Sequence, residues 1–123
     1  GIDFSQYRNR FWESIAAAGG RTYFCGHDHG YAHARIDDGD GNFDNDIHQF
    51  VVGTAGAGVN IVPEHNGYNT PYLPIAQEHA QKYGYMVVEI TGAKVNLEFK
   101  YLNESDGTFK TVPVLSYYSR SEK

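Results

Sequence analysis

The stretch Tyr23–Gly30 has the sequence YFCGHDHG and places two histidines, His27 and His29, directly after a short apolar run. The apolar run predicts a strand, and the glycines on either side of the histidines let the backbone leave that strand sharply. Neutral imidazole is the commonest metal ligand among side chains. The stretch therefore predicts a metal-ligand loop at the carboxyl end of a buried strand. The alternative is an ordinary turn with two exposed histidines.

Hydrophobic spacing predicts a helix before this loop. Apolar side chains between Phe4 and Ile15 recur at three- and four-residue steps, Ser5 can cap the helix, and Gly19 ends it. A short strand over residues 21–25 follows. A helix that leads into a strand through a tight turn is typical of layered structures of helices and sheets.

The rest of the chain predicts mostly antiparallel strands. Residues 31–36 and 47–52 are extended candidates in a hairpin, and residues 60–83 are predicted to be an irregular surface segment, with a short helix at 75–81 as an option. Alternating apolar and polar residues then predict a three-strand meander. Its strands are expected at 85–90, 94–101 and 108–115. The predicted fold class is α/β in the α+β sense, with one N-terminal helix followed by mostly antiparallel strands.

Composition narrows the class of protein. The 123 residues are 41% hydrophobic and 20% charged, which fits a single globular domain. The net charge of −5 and the lack of a Lys/Arg cluster argue against a nucleic-acid surface. The apolar runs are too short for a membrane span. One cysteine, Cys25, cannot form an internal disulfide, and the compartment stays open.

The acidic segment 37–46 invites a calcium interpretation, because Asp and Asn alternate there. Counted from Asp38, however, the sixth position of a helix-loop-helix calcium site is Phe43 instead of Gly, and the twelfth is Gln49 instead of Glu. We therefore expect a solvated hairpin loop rich in turn-forming residues, with incidental calcium binding as the alternative.

The segment Val51–Gly58 ends a predicted strand in a glycine-rich turn. It lacks the Lys and Ser/Thr of a nucleotide-binding loop, and no good helix follows it. The simpler interpretation is that small residues let the backbone approach a neighbouring site closely.

The motif Gly26-His27-Asp28-His29 resembles the last signature block of the calcineurin-like metallophosphoesterases, Gly-His-x-His. The purple acid phosphatase branch is most similar, because its block continues to an aromatic residue, as at Tyr31 here. The hairpin, the glycine-ended strand and the terminal meander are also similar to the closing part of that family's domain. The resemblance implies that residues 1–123 are a single incomplete domain, the C-terminal part of a metallophosphoesterase sandwich.

This resemblance also implies a reaction and a site. Two divalent metal ions, Mn, Fe or Zn, would clamp the phosphate of a phosphate-ester substrate and activate a water molecule for attack. His27 would ligate one metal and His29 the other, whereas no residue is assigned a catalytic role. Tyr31 and His33 are further candidates for contact with the substrate, and for His33 the alternative is a surface position in the hairpin.

The family's earlier ligand blocks, Asp-x-His, Gly-Asp-x-x-Asp, Gly-Asn-His-Glu and a lone His, are not matched in context in this chain. Two neutral imidazoles cannot hold two divalent ions against water. We therefore expect the parent protein to be a hydrolase and the isolated chain to be inactive. Its expected partners are the missing N-terminal part of the same domain or, through exposed apolar faces, a second copy of the chain.

Two other interpretations remain open. A cupin-like barrel binds a single metal through His-x-His and later ligands, and His27, His29 and His33 have roughly its opening spacing. In that interpretation His33 occupies the position where the cupin pattern has Glu. The third interpretation is a non-enzymatic β-rich binding module whose histidines capture a metal incidentally.

Overall fold

The computed structural model describes residues 5–55 and 72–119, which form one α-helix, one short 3-10 helix and seven strands. The elements are α1 (Ser5–Ala17), β1 (Thr22–Cys25), β2 (Tyr31–Asp37), the 3-10 helix (Phe43–Asn45), β3 (Ile47–Val52), β4 (Leu73–Ala80), β5 (Gly84–Thr91), β6 (Lys94–Asn103) and β7 (Thr108–Tyr118). The predicted class is confirmed: one helix precedes mostly antiparallel strands. No helix within the described residues is long and apolar enough to cross a membrane.

The strands form two sheets. Sheet A has the order β1-β3-β2-β4, with β1 parallel to β3 and the other pairs antiparallel. Sheet B is the antiparallel meander β5-β6-β7. The predicted helix, the β2–β3 hairpin and the meander are therefore confirmed.

The prediction of an irregular segment over residues 60–83 is wrong at residues 73–80. Residues 73–80 form strand β4, which pairs with β2, and the optional helix at 75–81 does not form. Its sequence, LPIAQEHA, contains several good helix formers, and the hydrogen bonds offered by β2 override that local preference. Residues 56–71 lie outside the described part of the chain.

Sheets A and B pack face to face around an apolar core. Tyr31 and Phe50 from sheet A contact Val95, Leu97 and Phe99, which alternate along β6 with more exposed residues. The rings of Tyr31 and Phe99 stack with their centroids 4.1 Å apart. The period-two pattern of β6 therefore buries one face of sheet B on sheet A.

Helix α1 covers part of the opposite face of sheet A. Trp12 packs with Ile36 and Ile47 in a second buried cluster, and Tyr23 of β1 joins it. The rings of Trp12 and Tyr23 meet edge to face, 5.9 Å apart. Sheet A is thus the middle layer of three, and consecutive residues of β2 and β3 face either α1 or sheet B.

A substitution at Phe50 can test the packing between the sheets, because this side chain is 0% exposed and stacks on His33. We expect Phe50→Ala to lower the free energy of unfolding by about 3–5 kcal/mol, through lost burial and the cavity left behind. Phe109, 54% exposed on β7, is the matched control, and Phe109→Ala should cost about 1 kcal/mol or less. Urea unfolding measures both, and equal costs would contradict the described core.

Candidate functional site

The two candidate metal ligands lie on the loop between β1 and β2. His27 and His29 are both exposed, and the loop begins at the carboxyl end of β1. The strand itself is less buried than predicted: β1 is at the edge of sheet A, and Phe24 is 43% exposed. The imidazoles are therefore accessible at a strand end, as a ligand pair must be.

The loop has an uncommon backbone conformation. His27 has φ of +84°, in the left-handed region that side chains other than glycine rarely adopt. This geometry costs about 1–2 kcal/mol relative to an ordinary conformation, so the surrounding structure must hold it in place.

Gly53, just after β3, provides that support. Its amide donates a hydrogen bond to the carbonyl oxygen of Gly30 at 2.9 Å, and the amide of Gly30 donates to the carbonyl oxygen of Asp28 at 3.0 Å. A Cβ atom at Gly53 would overlap the Asp28 carbonyl oxygen. The predicted close backbone approach is therefore confirmed at Gly53, whereas a site in the loop that it approaches stays a prediction. Residues 56–58 of the same turn lie outside the described part of the chain.

Within residues 5–55 and 72–119, the loop offers two metal ligands. Over these ranges, no hydrogen bond or ion pair engages the side chains of His27 and His29, and no third His, Cys, Asp or Glu joins them in a metal-sized cluster. His65 lies outside the described residues. Two imidazoles alone leave most of a metal ion's coordination sphere to water or to other polypeptide.

A polar network lies between the two sheets, and sequence reasoning missed it. Tyr31, His33 and His48 are buried, whereas the side chain of Glu78 is 39% exposed. Tyr31 Oη donates to Glu78 Oε2 at 2.6 Å, and the same oxygen lies 2.7 Å from His33 Nδ1. The other ring nitrogen of His33, Nε2, lies 2.7 Å from His48 Nδ1. Four polar side chains from β2, β3 and β4 therefore form one hydrogen-bonded chain.

The positions of the protons in this network follow from the carboxylate of Glu78, which accepts hydrogen bonds at one end of it. Because a carboxylate can only accept, His33 Nδ1 donates to Glu78 and its Nε2 accepts from His48 Nδ1 when both rings are neutral. Burial, followed by the hydrogen bond and charge of Glu78, raises the pKa of Tyr31. Tyr31 therefore acts as a donor and stays protonated at neutral pH.

His48 is held in its neutral form. Burial is the main reason that the pKa of His48 falls to about 4. Electrostatic interactions with His33, Arg21 and Arg35 act in the same direction. The charge of Glu78 opposes them. The His48 ring is thus neutral at neutral pH, and the network ends at the carboxyl group of Glu78.

The structure places the two candidate substrate contacts in this network. Tyr31 is 1% and His33 is 4% exposed, and both are bonded to Glu78, so the surface position considered for His33 is wrong. Their contact with a substrate stays a prediction. Glu78 could not be found from sequence, because β4 was not expected. Period-two spacing of Tyr31 and His33 on β2 was the available signal that they share a face.

The support of the loop by Gly53 can be tested directly. Gly53→Ala forces the backbone of Asp28 to move, and we expect it to lower the free energy of unfolding by roughly 1–3 kcal/mol. A Cβ at Gly26 meets nothing within 4 Å, so Gly26→Ala is the matched control and should stay within about 0.5 kcal/mol. Urea unfolding compares them. Equal stability of the two variants would contradict the close approach.

The burial of His48 predicts a loss of stability in acid. The unfolded chain binds a proton at its ordinary pKa of 6.5, whereas the folded chain resists protonation until about 4. The contribution of His48 to the free energy of unfolding is therefore fully present above pH 6.5 and is lost as the pH falls toward 4. We expect a loss on the order of 2 kcal/mol between about pH 7 and pH 5.

The variant His48→Gln isolates this effect, because its amide can still donate to His33 and it has no ring to protonate. We expect its free energy of unfolding to fall less than that of the wild type between the same two pH values. Urea unfolding at both pH values measures the difference. Parallel losses in wild type and variant would show that His48 does not carry the pH dependence.

Comparison with known proteins does not place the chain in a family. No family model, no curated protein and no solved structure matches it. What the protein does must therefore be argued from its own residues: the two exposed imidazoles of the loop, the glycine that holds it, and the charged groups around sheet A.

Proposed function

We propose that His27 and His29 are ligands of a dinuclear metal centre that hydrolyses phosphate esters. The observation that carries the proposal is the loop itself: two exposed imidazoles, one residue apart, at the carboxyl end of β1, on a backbone pressed against Gly53. A backbone held in this way keeps both ligands in place before a metal arrives, which lowers the cost of ordering them on binding.

The chemistry of such a centre explains the choice of ligands. Imidazole suits Mn, Fe and Zn ions, and a pair of them can stabilise both the attacking and the leaving oxygen at a phosphate. Each ion also needs carboxylate or other anionic ligands, beyond the one imidazole that each receives from this loop. In the proposal those ligands come from polypeptide outside the described residues, either a further N-terminal part of the same domain or, less simply, a second copy.

Two surface features support a further portion of polypeptide beside β1. Over the described residues, β1 pairs with β3 along one edge and with no strand along the other. Parallel strands are usually buried on both faces and continued by further strands. Phe24 of β1 is exposed, as are Val88 and Ile90, whose partners on β6 are buried. An added strand at β1 would extend sheet A next to the exposed Phe24 and bring further ligands to the histidine loop.

Tyr31 and His33 keep a place in this proposal as candidate substrate contacts. Both side chains are already bonded to Glu78, so a phosphate would have to displace Glu78 to reach them. Their more direct role is to hold β2 and β4 together next to the loop. The two imidazoles of the loop therefore carry the proposal, and it does not depend on Tyr31 or His33.

The cupin-like alternative fits the structure less well. It needs His27, His29 and His33 to converge on one ion, whereas His33 is buried and bonded to Glu78 and His48. The described strands also form two separate sheets. A non-enzymatic binding module remains the main alternative to the phosphoesterase.

The test uses the chain joined to the polypeptide encoded upstream of it. We expect this longer protein to hydrolyse para-nitrophenyl phosphate with Mn or Zn, and His27→Ala or His29→Ala to reduce the rate by on the order of 100-fold or more, because each removes a metal ligand. His79→Ala is the matched control, since His79 is an exposed histidine on β4, at the opposite edge of sheet A.

Metal analysis of the same proteins separates the alternatives. Two ions per chain, reduced in both loop variants and unchanged in the His79 variant, agree with the proposal. One tightly bound ion per chain would favour a mononuclear site, and hydrolysis that survives both loop substitutions would contradict the proposal. Full activity of the isolated chain would show that no further ligands are needed.

A further inference from the structure

Three carboxylates converge at the end of the β2–β3 hairpin. Asp37, Asp38 and Asp46 each place one carboxylate oxygen within 4.8 Å of the others. Like charges this close repel each other strongly where solvent is partly excluded. An arrangement of this kind needs positive charge beside it.

Asp46 is the residue of this carboxylate cluster whose surroundings indicate a ligand. Its side chain is 0% exposed, and its Oδ2 accepts a hydrogen bond from Arg35 Nη1 at 2.7 Å. Its other oxygen, Oδ1, is buried and has no hydrogen-bond partner among the described residues. A buried carboxylate oxygen without a partner is costly, and native structures rarely leave one without water or an ion. With Oδ2 taken by Arg35, Oδ1 is the oxygen left for a ligand.

The remaining members are held by their own turns. Asp37 Oδ1 accepts from the amide of Gly39 at 2.9 Å, and Asp38 Oδ1 accepts from the amide of Asp40 at 3.1 Å. These bonds orient the two carboxylates and leave the second oxygen of each without a backbone partner in that turn. The loop thus presents oxygens from both ends of the connection between β2 and β3.

Among the described residues, Arg35 forms an ion pair with one carboxylate of the cluster, that of Asp46. Arg35 also lies over the ring of Phe43, with its guanidinium carbon 3.9 Å from the ring centroid. Arg21 Nε donates to the backbone carbonyl oxygen of Asp46 at 3.3 Å. The charges of Asp38 and Asp37 add to burial in raising the pKa of Asp46, so the repulsion is felt at the buried group.

We propose that Asp37, Asp38 and Asp46 bind one calcium ion that ties the end of β2 to the start of β3. All three ligands are hard carboxylate oxygens, which suit Ca²⁺ and not the softer metals that favour imidazole or thiolate. Ca²⁺ also accepts irregular geometry and completes its shell with carbonyl oxygens and water. Positions 37, 38 and 46 do not follow the helix-loop-helix spacing, so the comparison of the sequence with that pattern could not find them.

This site goes beyond the proposed phosphoesterase centre and is separate from it. The histidine loop precedes Tyr31 at one end of β2, and the carboxylates begin at Asp37 at the other. A seven-residue strand spans roughly 20 Å. The two sites can therefore be tested independently.

Calorimetric titration of Ca²⁺ into chelator-treated protein tests the proposal, with both loop histidines replaced by Ala so that only the carboxylate site is counted. We expect one Ca²⁺ per chain with a dissociation constant of about 1 mM or tighter, and a rise in Tm with Ca²⁺. Asp37→Asn and Asp38→Asn should each weaken binding by about tenfold or more.

Asp44→Asn is the matched control, because Asp44 is an exposed carboxylate of the same loop outside the cluster. It should leave the affinity nearly unchanged. Equal weakening by Asp44→Asn would indicate general attraction to an acidic loop and overturn the proposal. So would the absence of a heat of binding and of a Tm shift at about 10 mM Ca²⁺. Asp37 and Asp38 are tested as two variants, so the failure of one to fold still leaves the other to decide.

Discussion

The antiparallel pairing of β2 with β3 positions all the candidate groups of this chain. In its register Tyr31 lies opposite Val52 and Ile36 lies opposite Ile47. One end of the pair receives the histidine loop, and the other end carries the acidic connection. A shift of one residue would exchange the two faces and place Tyr31 toward α1 and Ile36 toward sheet B. The apolar groups on both faces therefore fix the register, and the register fixes both candidate sites.

The polar network gives β4 its place on this pair. A register irregularity in the β2–β4 pairing brings Glu78 opposite His33, while Ala76 lies opposite Ala34. This irregularity lets one carboxylate serve both Tyr31 and His33. Buried polar groups are costly unless each has its partner, so such a network penalises any other register of β4. Hydrogen bonding here adds specificity that the apolar core alone does not provide.

The sequence predicts those parts of the fold whose signals are local. The periodic side chains of α1 and the alternation of Val95, Leu97 and Phe99 each arise within one element, so both elements were predicted correctly. Strand β4 was missed because its own residues favour a helix and its strand state depends on β2. Asp46 was expected in a solvated loop, because its burial depends on Arg35, eleven residues earlier and across the hairpin.

Among the described residues, the left-handed backbone of His27 and the unpartnered oxygen of Asp46 are each unfavourable when considered alone. Both lie at ends of the β2–β3 unit, where strong pairing can absorb a local cost. Natural sequences rarely keep such features without a compensating interaction. For the left-handed backbone of His27, the compensating interactions among the described residues are the hydrogen bonds of Gly53 and of the loop backbone. At Asp46 the compensating interaction is that of Arg35 with one oxygen, and the second oxygen has no partner among the described residues.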